Sequence, residues 1–197
     1  MIAAHPKAVY SSIRIDGMKA LTDAALLVLG LVAEMPRHGY ELEQAIEQRG
    51  MREWTQIGFS SIYFVLGKLE KLELVAAEKP AGPKAKKVFW VTDAGRATLA
   101  EQSLAALRTV RPSYGSVLLG MAHWPVLERD AALGALKERG AAVQAELKRV
   151  GDIQVAQQPL PDYVEALFDY ALGQLRAEAN WIRQTLNYMT TKPWLED

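Results

Sequence analysis

Residues 59–96 decide the fold, and they read FSSIYFVLGKLEKLELVAAEKPAGPKAKKVFWVTDAGR. In the first part of this stretch, Ile62, Leu66 and Leu69 are spaced 4 and 3 residues apart, which places them on one helix face that Val65 and Leu72 widen. Two short apolar segments follow, at 74–75 and 88–91, and the chain between them is rich in proline, glycine and lysine. Such a pattern is typical of a hairpin. The stretch therefore predicts a helix followed by two short antiparallel strands.

The surface of this helix and hairpin carries side chains that suit DNA. The free face of the helix holds Ser60, Ser61, Tyr63 and Lys68. Four lysines crowd the turn of the hairpin with no acidic residue among them: Lys79, Lys84, Lys86 and Lys87. A helix can enter a major groove ~12 Å wide while lysines lie against phosphates. A solvated helix face and a lysine-solubilised loop are the plainer interpretation, but the ordered combination favours double-stranded DNA as a partner.

Residues 20–110 as a whole predict a winged helix-turn-helix. Thr22 caps a first, buried helix over 24–32, which Pro36 ends, and a second, shorter helix is predicted over 41–48. The helix at residue 59 is the third, and it is followed by the hairpin. A fourth helix over 93–110 is capped by Thr92 and has the apolar positions Leu99, Leu104 and Leu107. Three helices and a hairpin in this order make the third helix the recognition helix.

Residues 111–192 are predicted to form a helical dimerisation domain. After a short apolar segment at 117–122, one helix is predicted over about 126–150, a polar linker over 151–161 and a last helix over about 162–189. The last helix would be ~42 Å long, and its apolar residues recur mostly every 3 or 4 positions, close to a coiled-coil pattern. A two-helix hairpin packed on the first half is the alternative, but a symmetric dimer would bury the whole stripe. The predicted dimer contacts are Leu167, Leu175, Ile182 and Leu186.

The composition excludes several classes of protein. The chain has 197 residues and no cysteine, so disulfides, thiol nucleophiles and cysteine-ligated zinc are ruled out. Its longest apolar run, 24–33, is too short to span a membrane, and the first residues lack the pattern of a signal peptide. We therefore expect a cytoplasmic protein without a membrane partner. The net charge of zero averages two unlike halves: residues 1–112 hold 15 Lys/Arg against 12 Asp/Glu, whereas residues 113–197 hold 8 against 11. The basic excess therefore lies on the side of the predicted DNA contacts.

No set of residues predicts catalysis. The three histidines, His5, His38 and His123, are far apart and lack the spacing of metal ligands, and no phosphate-binding glycine loop is present. The carboxylates are spread along amphipathic helices as solvated faces. We therefore expect neither an enzyme nor a cofactor nor a metal site.

Three motifs resemble the PadR family of transcriptional regulators: LLVLGLVAEMPRHGYEL (26–42), SSIYFVLGKLEKLELV (60–75) and VFWVTDAGRATL (88–99). The resemblance extends from about residue 20 to residue 190. It implies a repressor that acts as a homodimer on a roughly palindromic operator and can be released by a small ligand. By matching position it also implies that Tyr40 holds the DNA backbone, that Ser60, Ser61 and Tyr63 face the DNA, and that Lys68 contacts phosphate.

The chain departs from the family pattern at two positions of the third helix. Gly67 stands where a basic or polar residue is usual, and Glu73 stands where a glycine often ends the helix in a left-handed cap.

Two alternatives remain open from the sequence. Some regulators that resemble this one bind planar aromatic ligands through a tryptophan of the fourth helix, but residues 93–110 contain none. A pocket for a small aromatic effector near Tyr114, His123 and Trp124 competes with ordinary core packing of these residues, which we favour. The second alternative is a winged helix that serves as a protein-interaction module and does not read DNA directly.

Overall fold

A computed structural model describes residues 20–53, 55, 57–78, 86–110 and 115–191. The chain divides into two compact units between Ser113 and Tyr114. The predicted site residues Lys79, Lys84 and Tyr114 lie outside the described residues. No helix within the described ranges combines the length and the hydropathy that a membrane span needs.

The N-terminal unit is built from four helices and a small sheet around one apolar core. Its elements are α1 (Asp23–Glu34), β1 (Arg37–His38), α2 (Gly39–Gln48), α3 (Phe59–Lys71), β2 (Val75–Glu78), β3 (Val88–Val91) and α4 (Asp93–Arg108). The Ala25 amide donates to the Thr22 hydroxyl at 3.2 Å, so Thr22 caps α1 as expected. The predicted apolar face of α3 lies in the core with Ile62, Leu66 and Leu69 almost fully buried, but Leu72 is half exposed because α3 ends before it.

The sheet has three strands in the order β1-β3-β2, all antiparallel. The predicted hairpin is confirmed, with Val75 paired to Val91 and Glu78 to Val88. The third strand, β1, was not predicted, and it pairs Arg37 with Phe89. Since β1 leads directly into α2, it fixes the start of that helix to the hairpin.

A left-handed cap ends α3 although no glycine is present. Glu73 adopts φ 58°, and the Leu74 amide donates to the Leu69 carbonyl at 3.0 Å while the Glu73 amide donates to the Glu70 carbonyl at 3.0 Å. These are the two bonds of a Schellman motif. The Thr92 hydroxyl donates to the Glu73 carbonyl at 2.7 Å, which holds this strained residue against the start of α4.

The passage from β3 into α4 explains the motif TDAG at residues 92–95. The Thr92 hydroxyl accepts from the Gly95 amide at 3.0 Å, as a helix cap does. A Cβ atom at residue 95 would lie only 2.0 Å from the Leu74 carbonyl oxygen, so only glycine allows this close approach. Of the three apolar positions noted on α4, Leu99 packs on the core, whereas Leu104 and Leu107 are exposed.

The C-terminal unit consists of three helices. They are α5 (Val117–Ala122), α6 (Arg129–Ala156) and α7 (Asp162–Thr191), and a 3₁₀ turn at Trp124–Val126 precedes α6. The two long helices pack against each other, and Arg139 Nε donates to the Glu178 carboxylate at 2.6 Å between them. The predicted linker over 151–161 was too long, because α6 continues to Ala156. Near this end of α6, the Gln154 side-chain amide donates to the Glu165 carboxylate of α7 at 2.6 Å.

Candidate nucleic-acid interface

The free face of α3 presents the residues predicted to contact DNA. Ser60 and Lys68 are exposed, Tyr63 is 51% exposed and Ser61 is half buried. Gly58 caps the helix without a side-chain hydrogen bond, and the first turn contains no acidic residue. The positive end of the α3 dipole is therefore not neutralised by a local carboxylate, which favours an anion such as a phosphate nearby.

The Tyr63 ring lies directly on the backbone of Gly39, the first residue of α2. A Cβ atom at residue 39 would lie 2.5 Å from Cε1 and 2.7 Å from Cζ of Tyr63, far inside normal contact. Gly39 itself is buried. The close approach of α2 and α3 at this point therefore fixes the direction of the Tyr63 side chain.

The start of α2 brings Tyr40 to the same surface. His38 caps the helix: its Nδ1 accepts from the Glu41 amide at 3.2 Å, and the Glu41 carboxylate accepts from the His38 amide at 2.9 Å. His38 is thus a structural residue, as expected. Tyr40 is half exposed, and Lys86 Nζ lies 5.1 Å from the centre of its ring. This contact places a hairpin lysine beside a predicted backbone-binding tyrosine.

The second described lysine of the hairpin is held by an acidic residue. Lys87 Nζ donates to both carboxylate oxygens of Glu70 at 2.7 Å, and Glu70 lies on α3. The hairpin turn was read as free of acidic residues, but the fold brings this carboxylate to it from 17 positions away. Both lysines lie over an aromatic ring, Lys86 over Tyr40 and Lys87 over Phe89 at 5.2 Å, but Lys87 is in addition held in the ion pair with Glu70.

Arg52 connects α2 to the segment that leads into α3. Its guanidinium donates to the carboxylates of Glu43 and Glu47, the latter at 3.1 Å, and to the carbonyl oxygen of Ile57. Ile57 is buried and directly precedes Gly58, the cap of α3. Arg52 thereby holds the turn of the helix-turn-helix, a role that the sequence did not indicate.

A second arginine cluster ties α1 to α2. The Glu34 carboxylate accepts from Arg37 at 3.0 Å and from Arg49 at 2.7 Å. The hydrogen bond from Arg49 is the main reason that the pKa of Glu34 is lowered, with further contributions from the charges of Arg49 and Arg37.

The four residues of the predicted dimer stripe have different environments. Leu167 is 53% exposed, Leu175 and Leu186 are half buried, and Ile182 is only 2% exposed. Ile182 packs on Gly140 of α6 within the same chain, where an added Cβ would lie 3.3 Å from its Cγ2. The four side chains therefore do not form one free stripe, because Ile182 belongs to the interior of the helix pair.

The predicted ligand residues do not form a common site among the described residues. Trp124 is buried with Ala132, Leu133 and Leu136, whereas His123 is exposed. Trp124 is therefore a core residue, which agrees with the packing interpretation. No cluster of potential metal ligands occurs within the described ranges.

Comparison with known proteins identifies relatives of this arrangement. Residues 28–101 match the model of the transcriptional regulator PadR-like family, which confirms the resemblance inferred from the motifs. None of the curated proteins compared with the chain matches it.

Several solved structures share the fold. PadR of Bacillus subtilis in complex with operator DNA has a TM-score of 0.67 and 19% identity, covering 84% of this chain and 98% of that one. The same protein in complex with p-coumaric acid has a TM-score of 0.68 and 20% identity, with the same coverage of 84% and 98%. The PadR-like regulator BC1756 of Bacillus cereus has a TM-score of 0.62 and 17% identity, covering 87% and 100%. At these identities the likeness establishes the fold alone, a winged helix-turn-helix followed by a helical C-terminal unit.

Proposed function

We propose that this chain, which carries the PadR-like transcriptional regulator signature over residues 28–101, is a sequence-specific repressor that binds double-stranded DNA. In this proposal α3 enters the major groove and Ser60, Ser61 and Tyr63 contact the base edges and adjoining backbone. Tyr40, Lys68 and the hairpin lysines Lys79, Lys84, Lys86 and Lys87 contact phosphates.

The observation that carries this proposal is the shared surface of α2, α3 and the hairpin. Tyr63 is fixed on Gly39, and Lys86 lies over Tyr40, so aromatic, hydroxyl and ammonium groups from three elements are exposed side by side. Preset side chains lose less conformational entropy on binding than free ones. The B. subtilis protein of the same fold has been crystallised with operator DNA, which supports DNA as the partner of this chain.

The direct test is selection of duplexes from a random-sequence pool, followed by gel shifts at several salt concentrations. We expect an enriched, roughly palindromic sequence whose affinity falls steeply with salt, because phosphate contacts release counterions. A protein-interaction module would enrich no sequence, and that result would refute the proposal.

A homodimer is the second part of the proposal. Two recognition helices about one turn of DNA apart, ~34 Å, would match the two halves of a palindrome. Leu167 and Leu175 on α7 support it, since an exposed leucine and a half-buried one lie two turns apart on the same helix. Exposed Leu107 and Val110 add apolar surface that a single chain leaves in water.

Light scattering tests the dimer, with Leu167→Glu and Leu175→Glu combined as the disrupting variant. We expect a dimer for the wild type and a folded monomer for the variant, with Gln174→Glu on the exposed side of α7 as the matched control. A wild-type protein that scatters as a 21.8 kDa monomer at micromolar concentration and still binds the palindrome tightly would contradict the two-site mechanism.

Release by a small aromatic effector completes the proposal. A protein of the same fold has been solved in complex with p-coumaric acid, and a pocket for such an effector near Tyr114, His123 and Trp124 was the alternative to core packing in the sequence. Titration of the protein–DNA complex with p-coumaric acid tests this part. If p-coumaric acid dissociates the wild-type complex but not that of His123→Ala, the result supports this site. Equal dissociation of the two complexes would mean that the effector binds elsewhere.

A further inference from the structure

Phe64 is an apolar side chain in the middle of the free face of α3. It is 75% exposed, more than any other large apolar side chain of α3 that the structure describes. It follows Ser60 by one turn and precedes Lys68 by one turn, so it lies among the residues proposed to contact DNA. An aromatic ring held in water at this position is not needed for the core, because the opposite face of α3 already fills it.

The space next to this ring is open. Gly67 lies three positions further along the helix, and apart from its two chain neighbours and the backbone of α3 itself no atom lies within 4 Å of where a Cβ would be. Residues three and four apart are neighbours on a helix surface, so the missing side chain leaves room beside Phe64. Lys68 and Lys71 occupy the last turn of α3 and give the surroundings a positive charge. The result is a small apolar spot on a basic, polar surface.

The major groove offers one apolar group that suits such a spot. Each base pair presents hydrogen-bond donors and acceptors there, and thymine adds its C5-methyl group, which packs against apolar side chains such as phenylalanine. The surrounding lysines match the phosphates on either side of the groove.

We infer that Phe64 is a specificity-determining residue that contacts thymine C5-methyl groups in the operator. The inference rests on the proposed function, since it requires α3 to lie in the major groove. It also gives Gly67 a role: a larger side chain there would compete with the methyl group for the open space. Base recognition by this chain then combines polar contacts from Ser60, Ser61 and Tyr63 with one apolar contact from Phe64.

The test uses the duplex that the wild-type protein selects from a random-sequence pool. Each thymine of that duplex is replaced singly by deoxyuridine, which removes only the methyl group. We expect wild-type binding to weaken about fourfold for each contacted methyl group, at one or two positions per half-site. Phe64→Ala should bind the unmodified duplex more weakly by a similar factor and should be insensitive to the replacement at those positions.

Phe64→Leu serves as the matched variant, because it keeps an apolar side chain of similar reach. It should retain most of the sensitivity to deoxyuridine. Thermal melts should be unchanged in both variants, since the ring is exposed in the folded chain.

The outcomes separate this inference from the proposed function. A wild-type protein that selects a duplex but binds every deoxyuridine form equally well would overturn the role of Phe64 and leave the proposed function standing. Equal sensitivity of wild type and Phe64→Ala would do the same, because the methyl contact would then come from another residue. A wild-type protein that selects no duplex would overturn both.

Discussion

Gly39→Ala should weaken DNA binding although residue 39 is buried and itself touches no base. The added methyl group would lie 2.5 Å from Tyr63 Cε1, 2.7 Å from Cζ and 3.1 Å from the hydroxyl oxygen. Carbon atoms normally approach no closer than ~3.5 Å, so the ring must move by about 1 Å or turn to another rotamer. The phenol would then leave the position in which it is proposed to meet DNA.

The size of the effect follows from what Tyr63 contributes. A hydrogen bond is worth ~1 kcal/mol, which corresponds to about fivefold in affinity for each chain that binds. The cost in folding stability should be small, because the displaced atoms are the far end of a side chain that is already 51% exposed. Gly39→Ala and Tyr63→Ala should therefore weaken binding by similar factors.

A double-mutant cycle measured by fluorescence anisotropy on the selected duplex tests this reasoning. In the Tyr63→Ala background, Gly39→Ala should have no further effect on affinity, because the ring it displaces is gone. Gly30→Ala in α1 is the matched control, since its added methyl group meets only Leu99 Cδ1, at an ordinary 3.9 Å. Fully additive losses, or wild-type affinity of Gly39→Ala, would refute the proposed coupling between residue 39 and Tyr63.

Three further predictions concern the cap, the hairpin and the acid range. Glu73→Gly should stabilise the protein by about 0.5–1 kcal/mol in urea unfolding, because glycine relieves the strain at φ 58°, and Glu73→Ala should give no gain. Lys86→Ala should reduce the slope of log affinity against log salt concentration by about 0.9. Lys87→Ala should reduce this slope less, because Glu70 already neutralises Lys87, and equal slopes for the two variants would contradict this prediction. Because the pKa of Glu34 is lowered in the folded chain, its ionised carboxylate stabilises the fold above its ordinary pKa of 4.5, and this contribution is lost as the pH falls through the lowered pKa. The stabilities of wild type and Glu34→Gln in urea unfolding should therefore differ at neutral pH and converge in acid.

Local patterns predicted most of the N-terminal fold. The spacing of Ile62, Leu66 and Leu69 defined the buried side of α3, and Thr92 as a cap marked the start of α4. These features depend on neighbours a few residues apart, which a sequence displays directly.

Features that depend on distant contacts were missed. Strand β1 has only two residues, too few for an alternating pattern, and it exists because β3 pairs with it. The left-handed cap at Glu73 runs against residue preference and is held by a hydrogen bond from Thr92. The polar linker was predicted to begin at Gly151, but α6 continues through this residue and Gln154 hydrogen-bonds to Glu165 of α7.

In the candidate site too, features set by local spacing were predicted and features set by distant contacts were missed. Ser60, Tyr63 and Lys68 could be assigned to the free face from helical spacing alone. The ion pair between Glu70 and Lys87 joins residues of different elements, so no local pattern revealed it. Phe64 was assigned to neither face of the helix, although its place one turn after Ser60 and one turn before Lys68 indicates an exposed position.

The most direct test of α3 as the recognition helix combines Ser60→Ala, Ser61→Ala and Tyr63→Ala in one protein. Its affinity for the selected duplex and for a scrambled duplex is measured beside a thermal melt of the same preparation. We predict an unchanged melt and, on the selected duplex only, a loss of about two orders of magnitude for each chain that binds, since each chain would lose three hydrogen bonds of ~1 kcal/mol. A folded triple variant that binds the selected duplex as tightly as the wild type would contradict the account.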